Sequence, residues 1–247
     1  MISVIIPTLN AEAGLAATLT SLVPAAVDGL VREVIVVDGG STDRTLEIAD
    51  GAGADILETE AGRGHQLKAG AQRARFPWLL FLHADTELEP GWEREAGQLM
   101  ERVGTGRRAE TAAVFRFALD DEGLAPRALE TLVQLRTRLI KLPYGDQGLL
   151  VPRRLYDEVG GFRPMPLMED VDIVRRLGRR RLSVLRSCAI TSAVRYRRDG
   201  YLKRVVCNQL CLGLYLMRVP VGTIAHLYGG EVTTASSPSA LQRSSMP

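Results

Sequence analysis

EVIVVDGGSTD, Glu33 to Asp43, is the stretch that decides the fold. Val34 to Val37 form an unbroken β-branched run with no polar residue on either side of the pleat. Such a run reads as a strand buried on both faces, as in a parallel sheet. It stops at Asp38, two glycines and a hydroxyl-bearing turn, after which Asp43–Ala49 takes a helical pattern. The same alternation recurs on either side. SVIIPT (Ser3–Thr8) and WLLFLHAD (Trp78–Asp85) are further apolar runs, with a weaker strand at Asp55–Glu58, and helical segments lie at Ala11–Leu22 and His65–Arg75. Strands alternating with helices predict βαβ units and an α/β fold with a mostly parallel central sheet flanked by helices. In such sheets ligands sit beyond the carboxyl ends of the strands. Those ends carry Pro7, Thr8 and Asn10, then Asp38, Gly39 and Ser41, then His83, Ala84 and Asp85.

From about Glu110 the rhythm changes. TAAVFRFAL (Thr111–Leu119) reads as a half-exposed strand and Pro126–Leu142 as a long helix. YGDQGLLV (Tyr144–Val151), a helix at Met168–Leu177, a strand at Ala189–Tyr196 and an amphipathic helix at Tyr201–Met217 follow. No low-complexity linker separates the halves. The chain therefore reads as a single domain over 1–230, a nucleotide-binding half to about 105 and a second half to 230. The Ser-, Thr- and Pro-rich tail 231–247 reads as disordered.

A formal net charge of +2 over 247 residues excludes a polycation that coats nucleic acid. Locally the balance is less even: eleven Lys/Arg lie between Arg175 and Arg204 against one acid, Asp199. That segment suits an anionic substrate or a membrane surface, or simply a solvated helix face. Cys188, Cys207 and Cys211 lack framework spacing, which implies a reducing, cytoplasmic setting, and Cys207 and Cys211 read as small core residues of one helix. No secretory signal pattern opens the chain, and VVCNQLCLGLYLM (Val205–Met217) is too short to span a bilayer, though it could lie on one.

Two nucleotide motifs are absent. PTLNAEAG (Pro7–Gly14) lacks the glycine fingerprint of dinucleotide sites, and no Walker sequence occurs. Other groups point elsewhere. Asp38 could accept hydrogen bonds from a base or ribose, and Gly39 and Gly40 would let the backbone approach a ligand; an ordinary capped turn is the plainer reading. Arg63, His65 and Lys68 in GRGHQLKAG (Gly62–Gly70) suit an anion at a helix start. Asp85, just past a strand end, suits a Mg²⁺ or Mn²⁺ ion that bridges phosphates, with His83 as a further ligand or an orienting partner. Glu169, Asp170 and Asp172 in MEDVDIVRRL are crowded enough to attract a cation or serve as a general base, or they simply favour a helix N-terminus.

Taken in order, SVIIPTLN with Glu12, VIVVDGGSTD, FLHADT and MEDVD resemble the family 2 glycosyltransferases of GT-A fold, over roughly Ile2 to Leu227. GR…Q…AG, FLHADT, YGDQG and PLMEDV resemble more closely a bacterial branch found beside radical-SAM and selenium- or arsenic-associated genes, the arsenosugar-biosynthesis glycosyltransferases.

This resemblance implies a nucleotide-sugar donor, with uridine as the base, and a divalent cation, Mn²⁺ or Mg²⁺. Pro7, Thr8, Asn10, Glu12, Asp38, Gly39, Arg63, Lys68, Ala84 and Asp85 would surround the donor. Asp85 matches the last Asp of the family's D-x-D metal motif, and His83 stands at the first Asp. Asp170, with Glu169 beside it, falls where the family has its catalytic base, and transfer would be inverting. Asp146, Gln147 and Gly148 would line the acceptor or sugar pocket. Leu67-Lys68 replaces the family's usual Arg-Asn pair, and the Gln-x-x-Arg-Trp signature of processive synthases is missing. The acceptor would be a small molecule, arsenic-containing in the branch named above, or a lipid phosphate. Peripheral membrane contact and a homodimer stay open. So do two other readings, a nucleotidyltransferase that makes nucleotide sugars and a non-catalytic nucleotide-sugar-binding protein.

Overall fold

A computed structural model of the chain describes residues 1–227. The tail 231–247, expected to be disordered, lies outside the described residues. In chain order the strands are β1 (Ile2–Thr8), β2 (Val31–Asp38), β3 (Asp55–Glu58), β4 (Trp78–Phe81), β5 (Thr86–Leu88), β6 (Ala112–Asp120), β7 (Leu149–Pro152) and β8 (Leu182–Ser192). The helices are α1 (Glu12–Thr20), α2 (Val23–Val27), α3 (Thr45–Gly51), α4 (Arg63–Arg73), α5 (Trp92–Gly104) and α6 (Leu124–Ile140). They continue as α7 (Arg153–Glu158), α8 (Glu169–Leu177), α9 (Val194–Asp199), α10 (Tyr201–Leu216) and α11 (Val221–Leu227).

All eight strands form one sheet in the order β3-β2-β1-β4-β7-β6-β8-β5. The four strands of the first half pair in parallel. Beyond them β7 runs antiparallel to β4 and to β6, β8 runs parallel to β6, and β5 closes the far edge antiparallel to β8. The period of two is visible in the core. Ile5, Leu79 and Phe81 pack on one face with α4 and α8, and Val4, Ile6 and Leu80 pack on the other with Trp92 of α5. Helix α4 approaches the sheet closely at Gly70, where a Cβ would stand 2.5 Å from Ile5 Cγ2 and 2.8 Å from Val37 Cγ2. A buried carboxylate on the second strand, Glu33, is satisfied by Ser3 Oγ at 2.6 Å and by the Arg75 backbone N–H at 2.9 Å.

Three expectations need correction. Trp78–Asp85 is a strand only to Phe81. The Thr86 N–H then bonds to the His83 carbonyl, turning the chain across to β8 and leaving His83 and Asp85 in the turn. Ala112–Asp120 is not half-exposed, because β6 lies inside the sheet between β7 and β8 and α6 covers it. The strand expected at Ala189–Tyr196 begins seven residues earlier, at Leu182, and ends at Ser192; Tyr196 lies on α9. Ser183, Arg186 and Cys188 interrupt its apolar pattern, which hid the first half of β8.

Candidate functional site

β1 and β2 end side by side, with Thr8 in register with Asp38. The buried Asp38 carboxylate is saturated by its own turn: Oδ1 accepts from the hydroxyls of Thr8 and Ser41, Oδ2 from the N–H groups of Gly40 and Ser41. Burial would push its pKa up, and the bonds from Ser41, Thr8 and Gly40 outweigh burial and hold it below the ordinary aspartate value. The loops after the two strands are stitched together by residues expected to meet a ligand. Asn10, at φ 51°, accepts from the Thr42 N–H at 2.9 Å, and Glu12 accepts from the Arg44 N–H at 3.1 Å. Asn10, Glu12 and Asp38 therefore shape the end of the sheet with their side chains, leaving backbone and neighbouring groups to face a ligand. Pro7 is half-buried within that end.

Gln66, not singled out as a site residue in the sequence, locks α4 beneath the same turn. Its Nε2 donates to the Thr8 carbonyl at 2.7 Å and the Val37 carbonyl at 2.8 Å. Gly39 is glycine because a Cβ would press on Gln66 and Ala61, whereas Gly40 has the positive φ of the turn, 95°. Lys68 points into solvent from α4 and does not border the cleft described next.

That cleft lies between the turn after β4 and the start of α8, and its walls include Arg63, His83, Asp85, Asp146 and Asp170. Asp85 is fixed through its backbone, whose carbonyl accepts from the Ser192 N–H at 3.0 Å. Its carboxylate stands 3.9 Å from the Arg195 guanidinium. Asp170 opens α8 and faces the cleft, and its Oδ2 accepts from the Gly145 N–H at 2.6 Å. A Cβ on Gly145 would stand 2.7 Å from His83 Nε2 and 3.3 Å from Asp170 Oδ2, so only glycine lets the two groups come so near this turn.

Glu169, the neighbour of the expected base, is 1% exposed and ion-paired to Arg63. Burial raises its pKa, Arg63 opposes that, and Asp170 adds to it. His83 stands beside Arg63. Its Nε2 faces Arg63 Nη1 at 3.5 Å, and burial followed by the fields of Arg63 and Arg195 holds the imidazole neutral.

The YGDQG turn divides. Asp146 borders the cleft, and its buried Oδ1 has no hydrogen-bond partner. Burial pushes its pKa up to about 6; Arg136 and Arg63 oppose this, and Asp170 and Asp85 add to it. Gln147 and Gly148 do not line the cleft. Gln147 is buried, bonded to the Phe115 carbonyl and to Thr137, so it anchors the turn from behind, and Gly148 packs on Phe115. Because folded Asp146 keeps a proton that the unfolded chain releases near pH 4, stability should fall as pH rises from about 4 to about 6. Asp146→Asn should flatten that fall in a series of thermal melts. An unchanged slope would place the titration elsewhere.

The basic segment does not form one patch. Arg176 pairs with Asp172, Arg181 with Glu158, Arg195 with Asp85, Arg197 with Asp121, and Arg198 and Arg204 with Asp199. Arg195, Thr191, Arg204 and Asn208 line the cleft and escaped the sequence reading, since only their position in the basic segment marked two of them. Cys211 is buried and Cys207 packs against the same core.

A divalent cation needs oxygen ligands. No three His, Cys, Asp or Glu side chains come together as a metal cage among the described residues. Asp85 offers a part-exposed carboxylate at the cleft, which fits a cation that takes its remaining ligands from a diphosphate and water.

Compared with known proteins, residues 3–163 match the family described as "Glycosyl transferase family 2". A "PGL/p-HBAD biosynthesis glycosyltransferase" of Mycobacterium bovis is 40% identical over 101 residues, 36% of this chain and 36% of that protein. "Glucosyl-3-phosphoglycerate synthase" of Mycobacterium tuberculosis is 48% identical over 59 residues, 24% of this chain and 18% of that one. The matched stretches thus span about a third or less of these relatives. Among solved structures, S. aureus TarS 1-349 in complex with UDP has a TM-score of 0.59 at 22% identity, covering 78% of this chain and 61% of that one. The M. tuberculosis synthase in complex with Mn²⁺, UDP and glucosyl-3-phosphoglycerate has a TM-score of 0.54 at 22% identity, covering 85% and 78%. The mixed α/β sheet with flanking helices is the GT-A architecture.

Proposed function

This chain belongs to glycosyl transferase family 2, and from that premise we propose that it transfers a sugar, with inversion, from a uridine-diphosphate donor to an oxygen nucleophile of a small-molecule or lipid acceptor. The observation that carries the reading is the meeting of Asp85, at the end of the nucleotide-binding half, and Asp170, at the start of α8, in one cleft. The nucleoside lies over the Thr8–Asp38 end of the sheet, where Gln66 and the stitched loops hold the backbone rigid. UDP bound to TarS and to the mycobacterial synthase supports the choice of base.

Asp85 would hold a divalent cation, Mn²⁺ or Mg²⁺, which when bound neutralises charge on the departing diphosphate. Arg63 and Arg195 add positive charge from either side of the cleft. Asp170 takes the proton from the acceptor hydroxyl as the oxygen attacks the anomeric carbon opposite the leaving group, and Gly145 N–H fixes its orientation. Asp146, aimed at the same space, accepts hydrogen bonds from sugar or acceptor hydroxyls. Transfer is non-processive.

Arg195 and Arg204 on the wall favour an acceptor with a phosphate or carboxylate, a lipid phosphate or a small acid. An arsenic-containing small molecule is the finer alternative that the branch resemblance implies. An acceptor screen with polyprenyl phosphate, phosphoglycerate and arsenic-bearing diols separates them.

The test is calorimetric titration with UDP, GDP, dTDP and CDP, each with Mn²⁺, Mg²⁺ or chelator. UDP should bind in a metal-dependent way, and Asp85→Ala should weaken that binding by about tenfold or more while leaving metal-free binding alone. Equal affinities for Asp85→Ala and the parent under every metal condition would remove Asp85 from the site. No binding of any nucleotide would remove the donor reading itself.

A further inference from the structure

Helix α6 turns an apolar stripe outward. Leu124, Ala128, Leu132, Leu135 and Leu139 follow one another at helical spacing, and the four leucines are 91%, 49%, 53% and 68% exposed. The opposite side of the helix, Leu129 and Val133, supplies the core over β6. An amphipathic surface helix normally shows one apolar side and hides it; this one shows two. The neighbouring α10 repeats the pattern. Val205 and Tyr201 pack into the same small core as Leu129 and Val133, Arg204 and Asn208 face the cleft, and Leu202, Val206 and Leu210 are exposed. Exposed apolar side chains gathered on two helices that share a core mark an interaction site.

Charge decides what it meets. Across α6 and α10 the single carboxylate is Glu130, and it is buried and bonded to Arg127 and to the Leu119 N–H. The exposed charges beside the stripes are Arg127, Arg138 and Lys203, with Lys141 half-buried at the end of α6 and one exposed acid, Glu122, before its start. With Arg127 already paired to Glu130, two copies packed through α6 would bury the unpaired Arg138 of each with no exposed acid on either helix to compensate. An anionic lipid surface takes the leucines into its acyl boundary and the basic rim at its headgroups. No described helix is long and apolar enough to cross a membrane.

We propose that the outer faces of α6 and α10 dock this protein peripherally on an anionic membrane. The inner side of α10 forms a wall of the cleft, so docking sets that wall against the surface from which a lipid acceptor would come. Only this last consequence rests on the transfer reading; docking itself does not.

The test is co-sedimentation of the full chain, without donor, with phosphatidylcholine vesicles containing or lacking phosphatidylglycerol. The protein should bind the anionic vesicles and not the neutral ones. Leu135→Glu/Leu139→Glu should reduce the bound fraction by about tenfold or more, since it places charge in the stripe at exposed positions that the fold does not use. Its UDP affinity should match the parent's, which confirms that it folds. Absence of binding to anionic vesicles, or equal binding by the double variant, overturns the proposal. So does a concentration-dependent dimer in analytical ultracentrifugation that Leu135→Glu/Leu139→Glu dissolves, because a second copy then covers the face. Failure here leaves the donor titration untouched, and failure of that titration leaves vesicle binding readable.

Discussion

Asp170→Asn should lower kcat by about 10²–10⁴-fold, the usual weight of general-base assistance, while UDP affinity stays within about twofold. The separation follows from what Asp170 touches. Both carboxylate oxygens accept backbone N–H groups, Oδ2 from Gly145 and Oδ1 from Val171; an Asn side-chain carbonyl can keep the Gly145 bond that holds the turn, and its amide gives up the bond from Val171. What is lost is the basic oxygen on the cleft wall. Glu169 does not replace it, because protein covers it and Arg63 pairs with its Oε1. Initial rates of UDP release with a working acceptor, beside a UDP titration, read the two quantities. Near-parental turnover would mean that another group takes the proton. A parallel collapse of UDP affinity would mean that Asp170 shapes the donor site and its kinetic effect is indirect.

The first half of the fold is legible in the sequence because its strands are buried on both faces. Ile2–Thr8 and Val31–Asp38 need apolar residues at nearly every position, and the polar residue that ends each run marks the edge of the sheet. Long-range pairing spoils this legibility in the second half. β5 is three residues long and owes its existence to β8, about a hundred positions later, and nothing in Thr86–Leu88 announces it. β8 is only partly buried and carries Ser183, Arg186, Ser187 and Ser192 at its half-buried or exposed positions, which mimics a loop. Arg116, in a strand that reads as half-exposed, sits inside the sheet with its guanidinium bonded to Gln134.

At the site, sequence order identifies groups but not their partners. Asp38 and Asp85 are equally conspicuous strand-end carboxylates. One is consumed by hydrogen bonds within its own turn and the other is left facing a cleft, and the difference lies in Thr8 and Ser41, which only the register of β1 on β2 brings into place. Glu169 and Asp170 are adjacent in sequence, and helix geometry points one into the core and the other outward. Which is which depends on Arg63, more than a hundred residues earlier. Arg195 and Arg204 are two of eleven basic residues in their segment, and composition cannot say which two reach the cleft.

Arg63→Ala should cost about 3 kcal/mol of stability, the lower end of the range for breaking a buried ion pair from one side. The lower end applies because the Arg63 side chain is itself 36% exposed, so its removal opens a path for water to Glu169. For a chain of this length that corresponds to a drop of about 6–12 °C in Tm. The deficit should depend on pH in a defined sense. Without Arg63, burial and Asp170 both raise the Glu169 pKa with little to oppose them, so the folded variant holds a proton that the unfolded chain gives up near pH 4–5. Its stability relative to the parent is therefore nearly intact at pH 4 and is lost as pH rises above the ordinary glutamate range. Adding Glu169→Gln removes the charge that burial penalises, so Arg63→Ala/Glu169→Gln should melt above Arg63→Ala at pH 8 and beside it at pH 4. Thermal melts of the three proteins at both pH values measure this directly. A deficit equal at pH 4 and pH 8, with no recovery in the double variant, would mean that Arg63 stabilises the fold through its packing and its contact with His83, and that the buried carboxylate is held by something other than its charge partner.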